Sequence, residues 1–199
     1  MARLNALITQ VQLKARNDRR LAVLLGSLAT GTITTNDFKE FQTLVGRLLY
    51  LSEFTGYKWQ SEVVSRALTR DGLLEIARQS KDGASVLTER IASTLEKRPE
   101  LGQVIRESVL GQSAVNEHVG LGQIVSAEEA GLGFKTWLHL GIGKEDREHH
   151  AVLDGLTIPK DEKFTLGNGV EVDCPHDWNS AGPEEWMWCG CQVIYTNSK

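Results

Sequence analysis

Leucine, isoleucine and valine recur at spacings of three and four along the first hundred residues. Leu4, Leu7, Ile8 and Val11, then Leu21, Leu24, Leu25 and Leu28, fall on one side of a helix with 3.6 residues per turn. Gly31 ends this stripe, and Thr34-Thr35-Asn36-Asp37 offers N-cap side chains for a second helix. That helix carries Phe38, Phe41, Leu44, Val45, Leu48 and Leu49, and Gly56 is expected to interrupt it before Val63, Val64 and Leu68. Shorter helices are expected next. One begins at Asp71, whose carboxylate can cap the following amides, and one over about residues 84–97 is built on Val86, Leu87, Ile91 and Leu95. Pro99 suits the first turn of a further helix, where its missing N–H costs nothing.

Five glycines between residues 111 and 133 predict a flexible connection with at most short elements. Beyond Gly133 the pattern changes. Residues 134–140 are strand-like, with Gly141 and Gly143 turning the chain. Residues 145–153 can form a short helix carrying both His149 and His150, and Asp154-Gly155 marks a tight turn. Phe164-Thr165-Leu166 and Val170-Glu171-Val172 flank Gly167-Asn168-Gly169 as a hairpin would, and residues 192–195 supply a last strand. The expected fold class is α+β: a helical docking domain over 1–115, a Gly-rich connection over 116–133, and a small domain over 134–199 with short antiparallel strands.

Composition narrows the class. Of 199 residues, 41% are hydrophobic and 24% charged, which is ordinary for a soluble protein. No apolar run reaches the length of a bilayer span, and Leu21-Ala22-Val23-Leu24-Leu25 is too short for a secretory core, so no membrane association is expected. Three Cys, two of them one residue apart, do not make a secreted disulfide framework. A reducing compartment, with thiols free or holding a metal, fits better. The net charge of −4 hides an asymmetry, because residues 1–70 hold ten Lys/Arg against five Asp/Glu. Lys14, Arg16, Arg19 and Arg20 concentrate that charge. They read either as a solvated helix face or as a contact for nucleic acid or an acidic partner.

The chemistry-bearing residues cluster late. The first 136 residues contain one Trp, one His and no Cys. His149, His150, Cys174, His176, Cys189 and Cys191 then place six candidate metal donors within 43 residues. Zn²⁺ takes four such donors in a tetrahedron, and small irregular domains often draw folding energy from it. Packing alone is the plainer alternative, with the thiols acting as small hydrophobes. A Cys-Gly-Cys redox pair would strain its ring, and nothing nearby resembles a thioredoxin unit. A histidine-based hydrolase could pair His149 or His150 with Asp146 or Asp154 as base and orienter. However, the chain has no His-Glu-x-x-His and no Gly-x-Ser-x-Gly motif. Neither Gly141-Ile142-Gly143 nor Gly167-Asn168-Gly169 has the surroundings of a phosphate loop.

One order of residues stands out: Trp137, then Arg147-x-x-His150-x-x-Leu153-Asp154-Gly155, Ile158-Pro159, Phe164, a Gly-rich turn, Pro175-x-Asp177, and Cys189-x-Cys191 before a short strand. This series resembles the C-terminal domain of the phage Mu F-like minor head proteins, the phage head morphogenesis family, over about residues 134–195. Two positions depart from the family pattern. Gly143 stands where an acidic residue is usual, with Glu145 and Asp146 nearby as stand-ins, and Gly190 stands where Arg is common. The resemblance implies a non-enzymatic structural protein of a tailed-phage virion, present in the host cytoplasm during assembly and in multiple copies. It implies the portal or the major capsid protein as partner, with packaged DNA as a further contact. It also implies that Trp137, Arg147, His150, Leu153, Asp154, Gly155, Cys189 and Cys191 form the structural motif. No cofactor is expected beyond a possible Zn²⁺, for which His150, Cys189 and Cys191 map onto the family's fuller Cys/His set while Cys174 and His176 do not. The rival expectations are a DNA-binding internal or ejected virion protein and a metal-dependent hydrolase or nuclease.

Overall fold

The computed structural model of the chain describes residues 2–140, 147–177, 180–186 and 188–198. It has the α+β architecture expected, with helices first and short antiparallel strands last. The first two helices are α1 (Ala2–Asn17) and α2 (Arg19–Ala29), divided at Asp18, whose side chain accepts a hydrogen bond from the Leu21 amide at 3.0 Å. The stripe Leu4, Ile8, Val11, Leu21, Leu24, Leu25 and Leu28 is buried throughout. Helix α3 (Thr35–Val63) opens on a capping box, with Thr34 and Asp37 each satisfying the other's backbone amide. Helix α4 (Arg70–Lys97) begins at Thr69, which accepts from the Gly72 amide.

Three expectations are corrected. Gly56 does not interrupt α3, which runs unbroken for 29 residues. The two helices expected around Asp71 and over 84–97 are one helix of 28 residues, capped by Thr69 rather than by Asp71. The connection expected over 116–133 is mostly helix. After a 3₁₀ turn at Pro99–Leu101, α5 (Gly102–Val104) leads into a π-helical stretch (Ile105–Ser113) and then α6 (Ala114–Ala130). The cause is close packing. A Cβ on Gly56 would overlap the Val119 carbonyl of α6, and one on Gly122 would overlap the Glu53 carbonyl of α3. These two glycines let the helix backbones touch, so they specify a helix pair where sequence reading sees freedom. Gly131, at φ +64°, ends α6 in the left-handed conformation usual after a helix.

Strand β1 (Phe134–Leu138) follows directly. It is central in a three-stranded antiparallel sheet between β2 (Thr157–Pro159) and β5 (Gln192–Thr196), with Trp137 opposite Val193. Between β1 and β2 lies α7 (Glu148–Ala151), shorter than the expected 145–153, and Gly141, Gly143, Glu145 and Asp146 lie outside the described residues. The expected hairpin is present as β3 (Phe164–Thr165) with β4 (Glu171–Val172), and α8 (Pro183–Trp186) precedes β5.

The sheet is seated on the helices by amides. Gln60 of α3 donates to the Tyr195 carbonyl at 2.8 Å and accepts from the Tyr195 amide at 3.1 Å. Gln123 of α6 donates to the Val193 carbonyl at 2.7 Å, and Asn116 of α6 donates to the Cys189 carbonyl at 3.0 Å. All three side chains are buried. The two glutamines satisfy the outer edge of β5, which would otherwise offer unpaired backbone groups to another chain, and Asn116 holds the loop before it. The apolar core of the sheet includes Ala127 and Leu132 at the end of α6, so the helices form one of its walls.

Candidate metal centre

Two residues past Trp137, His139 leaves β1 with its backbone amide held by Asp154 Oδ1 at 2.8 Å. On the neighbouring strand connection, Cys189-Gly190-Cys191 enters β5 with both thiols buried, free and unbridged. His150, on α7, is buried between them and Trp137, whose ring meets it edge-on at 5.7 Å. The donor atoms of His150, Cys189 and Cys191 converge, and His139 stands beside Cys191 outside that group. Cys189 Sγ is 3.4 Å and Cys191 Sγ 4.0 Å from His150 Nδ1, and His139 Nδ1 is 3.4 Å from Cys191 Sγ. The Cys191 amide donates to Cys189 Sγ at 3.4 Å, an arrangement that favours a thiolate there. His150, Cys189 and Cys191 thus form a cluster with the donor set and spacing to hold a metal ion.

The other ring nitrogen of His150 is committed. Its Nε2 lies 2.9 Å from Glu185 Oε2, and His149 Nε2 lies 2.8 Å from the same oxygen. Asn168, in the turn between β3 and β4, donates to Glu185 Oε1 at 2.6 Å. A proton on His150 Nε2 leaves the Nδ1 lone pair facing the thiols. His149, His150 and Glu185 make a second, partly exposed trio of donors.

The charges follow from these contacts. Burial alone would depress the His150 imidazole, but hydrogen bonding to Cys189 and Glu185 outweighs it and raises its pKa. Burial likewise opposes ionisation of Glu185, and the bonds from His149, His150 and Asn168 win, holding its carboxyl below the ordinary value. The hydrogen bond between the two thiols sets them apart: Cys189 is held well below the usual thiol range, helped by His150, and Cys191 is pushed up. Without a cation, only one of the pair carries the negative charge easily.

The remaining candidates take other places. Cys174 and His176 belong to neither donor group among the described residues. His176 is buried, and its ring bridges two carbonyls, Trp186 at 3.3 Å from Nδ1 and Cys191 at 3.3 Å from Nε2, so it clasps the thiol loop from behind. It does so at φ +68°, and Trp188 has φ +63°. Left-handed non-glycine backbone is thus concentrated around this loop. Burial pushes the Cys174 thiol up to about 12, away from ligand or nucleophile chemistry. Trp137, Leu153, Cys189 and Cys191 share one core with Phe164. Gly155 turns at φ +78° and donates to the Trp137 carbonyl at 2.9 Å, and the Arg147 carbonyl accepts from the amides of His150 and Ala151 at 2.9 Å each. Asp154 accepts the His139 amide beside this turn, and Asp146 lies outside the described residues.

The basic residues disperse. Arg20 is engaged by Asp37 at 3.0 Å and by Glu40 at 2.5 Å. Arg19 is exposed, and Arg16 is half-buried beside Gly111. Lys14 lines a groove of about 820 Å³ together with Lys39, Arg47, Lys81, Tyr50 and Leu51. Glu185 and His139 were missed by sequence reading. His139 had a signal, since it lies two residues beyond Trp137 and so projects to the same side of an extended strand. Glu185 had none. No protein-family model, curated protein or solved structure matches this chain.

Proposed function

We propose that this chain is a structural protein of a tailed-phage virion, a minor head protein that docks on the portal or the capsid during assembly. One observation carries the reading. The apolar residues behind the resemblance, spread from Trp137 to Cys191, come together in a single packed core in which Trp137, Leu153, Phe164, Cys189 and Cys191 are buried. Side chains used to hold shape belong in such a core, whereas groups that turn over substrate need access to it. The cavity between Trp137, His150, His176 and Glu185 is only about 10 Å³, room for a water at most. A Zn²⁺ ion fits the reading as a staple for a small module rather than as a reaction centre.

The helical part then supplies the docking surface. Its groove presents Lys14, Lys39, Arg47 and Lys81 around Tyr50 and Leu51, cations on an apolar floor, which suits an acidic protein surface. No helix is long and apolar enough to cross a membrane, among the described residues. The test is incorporation. Proheads and virions are purified from cells making the chain from its natural genome, and its copies are counted against the major capsid subunit by quantitative mass spectrometry. The expected result is a fixed, low copy number that survives gradient purification. A chain found only in the unassembled fraction contradicts the reading.

A further inference from the structure

In the helical part, α4 and α6 leave a cavity of about 400 Å³ between them. That is the size of a small-molecule site. Gly83 of α4 makes room for His118 of α6, since a Cβ there would stand 2.9 Å from His118 Cε1 and 3.3 Å from Nε2. His118 lines the cavity although it is only 5% exposed. Behind it, the fully buried Glu53 sets Oε1 2.5 Å from His118 Nδ1. The other oxygen, Oε2, has no hydrogen-bond partner, because the nearby Ser80 hydroxyl donates to the Ile76 carbonyl at 2.7 Å. Burial raises the Glu53 carboxyl above its ordinary value, so a bare negative charge on the pair is disfavoured. As a neutral unit the pair leaves a proton on His118 Nε2, and that nitrogen makes no hydrogen bond among the described residues. A buried donor held in place without a protein acceptor calls for one from a ligand.

The lining supplies the rest of such a site. Arg78 is held by Glu75 at 2.6 Å and by Asp82 at 3.2 Å, whereas Arg90 makes no ion pair or hydrogen bond among the described residues. Val86, Leu87 and Leu121 add an apolar surface beside these polar groups. We propose that this cavity binds a small organic monocarboxylate, its carboxylate taken by Arg90 and His118 and its apolar part by Val86, Leu87 and Leu121, with Glu53 as the positioning residue that orients His118. With His118 answered by Glu53 and Arg78 by its own carboxylates, one uncommitted cation suits a monoanion better than a phosphate dianion. The apolar surface favours an organic acid over an inorganic ion. Glu117 also lines the cavity. It is faced by His118 and Arg90, which favour its charge, and by Glu53 and Asp177, which oppose it, and burial outweighs them all and raises the carboxyl to about 7. Protonated, it donates to the ligand, and ionised, it repels it. The site is independent of the assembly reading and goes beyond it.

The test is a titration of the nitrogen-15-labelled full chain with hexanoate, beside hexanol and inorganic phosphate as comparison probes. At about pH 6, hexanoate should shift the amides around Gly83, Arg90 and His118 saturably, and the other two probes should bind at least about 10-fold more weakly. Arg90→Ala, at an exposed position, should weaken hexanoate by about 10- to 100-fold. Affinity should fall as pH rises from about 6 to about 8, and Glu117→Gln should abolish that fall. Long-range proton–nitrogen spectra should show His118 Nε2 protonated, and Glu53→Gln should remove that proton and weaken hexanoate together. No saturable shift at millimolar hexanoate overturns the proposal. Equal binding of hexanol would reduce the site to an apolar cleft, and equal binding of phosphate would make it a general anion site, and either result overturns it too. So does unchanged affinity in Arg90→Ala. If Glu53→Gln fails to fold, the spectrum of the unmutated chain still decides, because an unprotonated Nε2 there removes the donor.

Discussion

The helical part and the C-terminal module both bury polar groups, and they do so on different terms. Between α3 and α6 the buried Glu53 carboxylate is paired with His118 at 2.5 Å, in a helical part whose core is a continuous cluster of aliphatic side chains. In the module the buried polar groups sit at the aromatic centre: His150 meets the Trp137 ring edge-on, Lys135 lies over the Phe164 ring, and His176 and Glu185 are buried as well. Lys135 illustrates the difference. It is buried in the middle of a sheet, donates to the Asp173 carbonyl at 2.8 Å, lies over the Phe164 ring, and has its pKa lowered by burial. A long helix can meet the entropy of folding with a continuous apolar stripe, whereas strands of two to five residues cannot. The module instead relies on specific polar contacts and on the helices behind it.

Substitutions can separate the two strategies. The largest effect is expected at Trp137→Ala, which empties the centre of the module and should cost about 3–5 kcal/mol in urea unfolding. Its loss should be confined to the module, with far-ultraviolet helicity kept. An equal collapse of helicity would mean that the two parts are one cooperative unit. Gly122→Ala attacks the other side, because its new Cβ meets the Glu53 carbonyl, backbone that cannot swing away. A loss of about 1–3 kcal/mol or more with reduced helicity is the expected outcome, and a neutral result would show that the α3–α6 contact is looser than described.

Gln60→Leu addresses the junction. It leaves the amide and carbonyl of Tyr195 without partners on the buried edge of β5, at about 1–3 kcal/mol. Faster amide exchange in β5 and β1, with α1 to α4 unchanged, would locate the effect at the seam. The smallest effect concerns pH. Burial raises the Glu117 carboxyl from its ordinary value to about 7, so the folded chain holds a proton that the unfolded chain has released. Stability should therefore fall as pH rises from about 4.5 to about 7. Glu117→Gln should remove that slope, gaining on the order of 1 kcal/mol at pH 8, since part of the residue stays exposed, and nothing at pH 4. A stability profile unaltered by the substitution would show that the carboxylate is solvated.

These differences also explain what the sequence made legible. The stripes of α1 to α4 were readable because one periodic signal repeats over many turns and burial follows it. Gly56 and Gly122 misled because a glycine looks the same where it frees a chain and where it lets two helices touch. Only the partner helix distinguishes the two. At the candidate metal centre, His150, Cys189 and Cys191 could be picked out by residue type alone. Glu185 became a partner of His150 only through the fold, from 35 residues away. Cys174 and His176 had chelating spacing, but the chain turns at His176 so that its ring meets carbonyl oxygens instead.

The central claim is that the His/Cys cluster holds the module's shape while the helical part stands without it. Amide hydrogen exchange of the full chain, with and without a strong chelator and resolved to each element, tests this most directly. The account predicts that chelation strips protection from β1, α7 and β5 while the amides of α3 and α4 exchange at unchanged rates. Protection unchanged in the module, or lost equally from every helix, would contradict it.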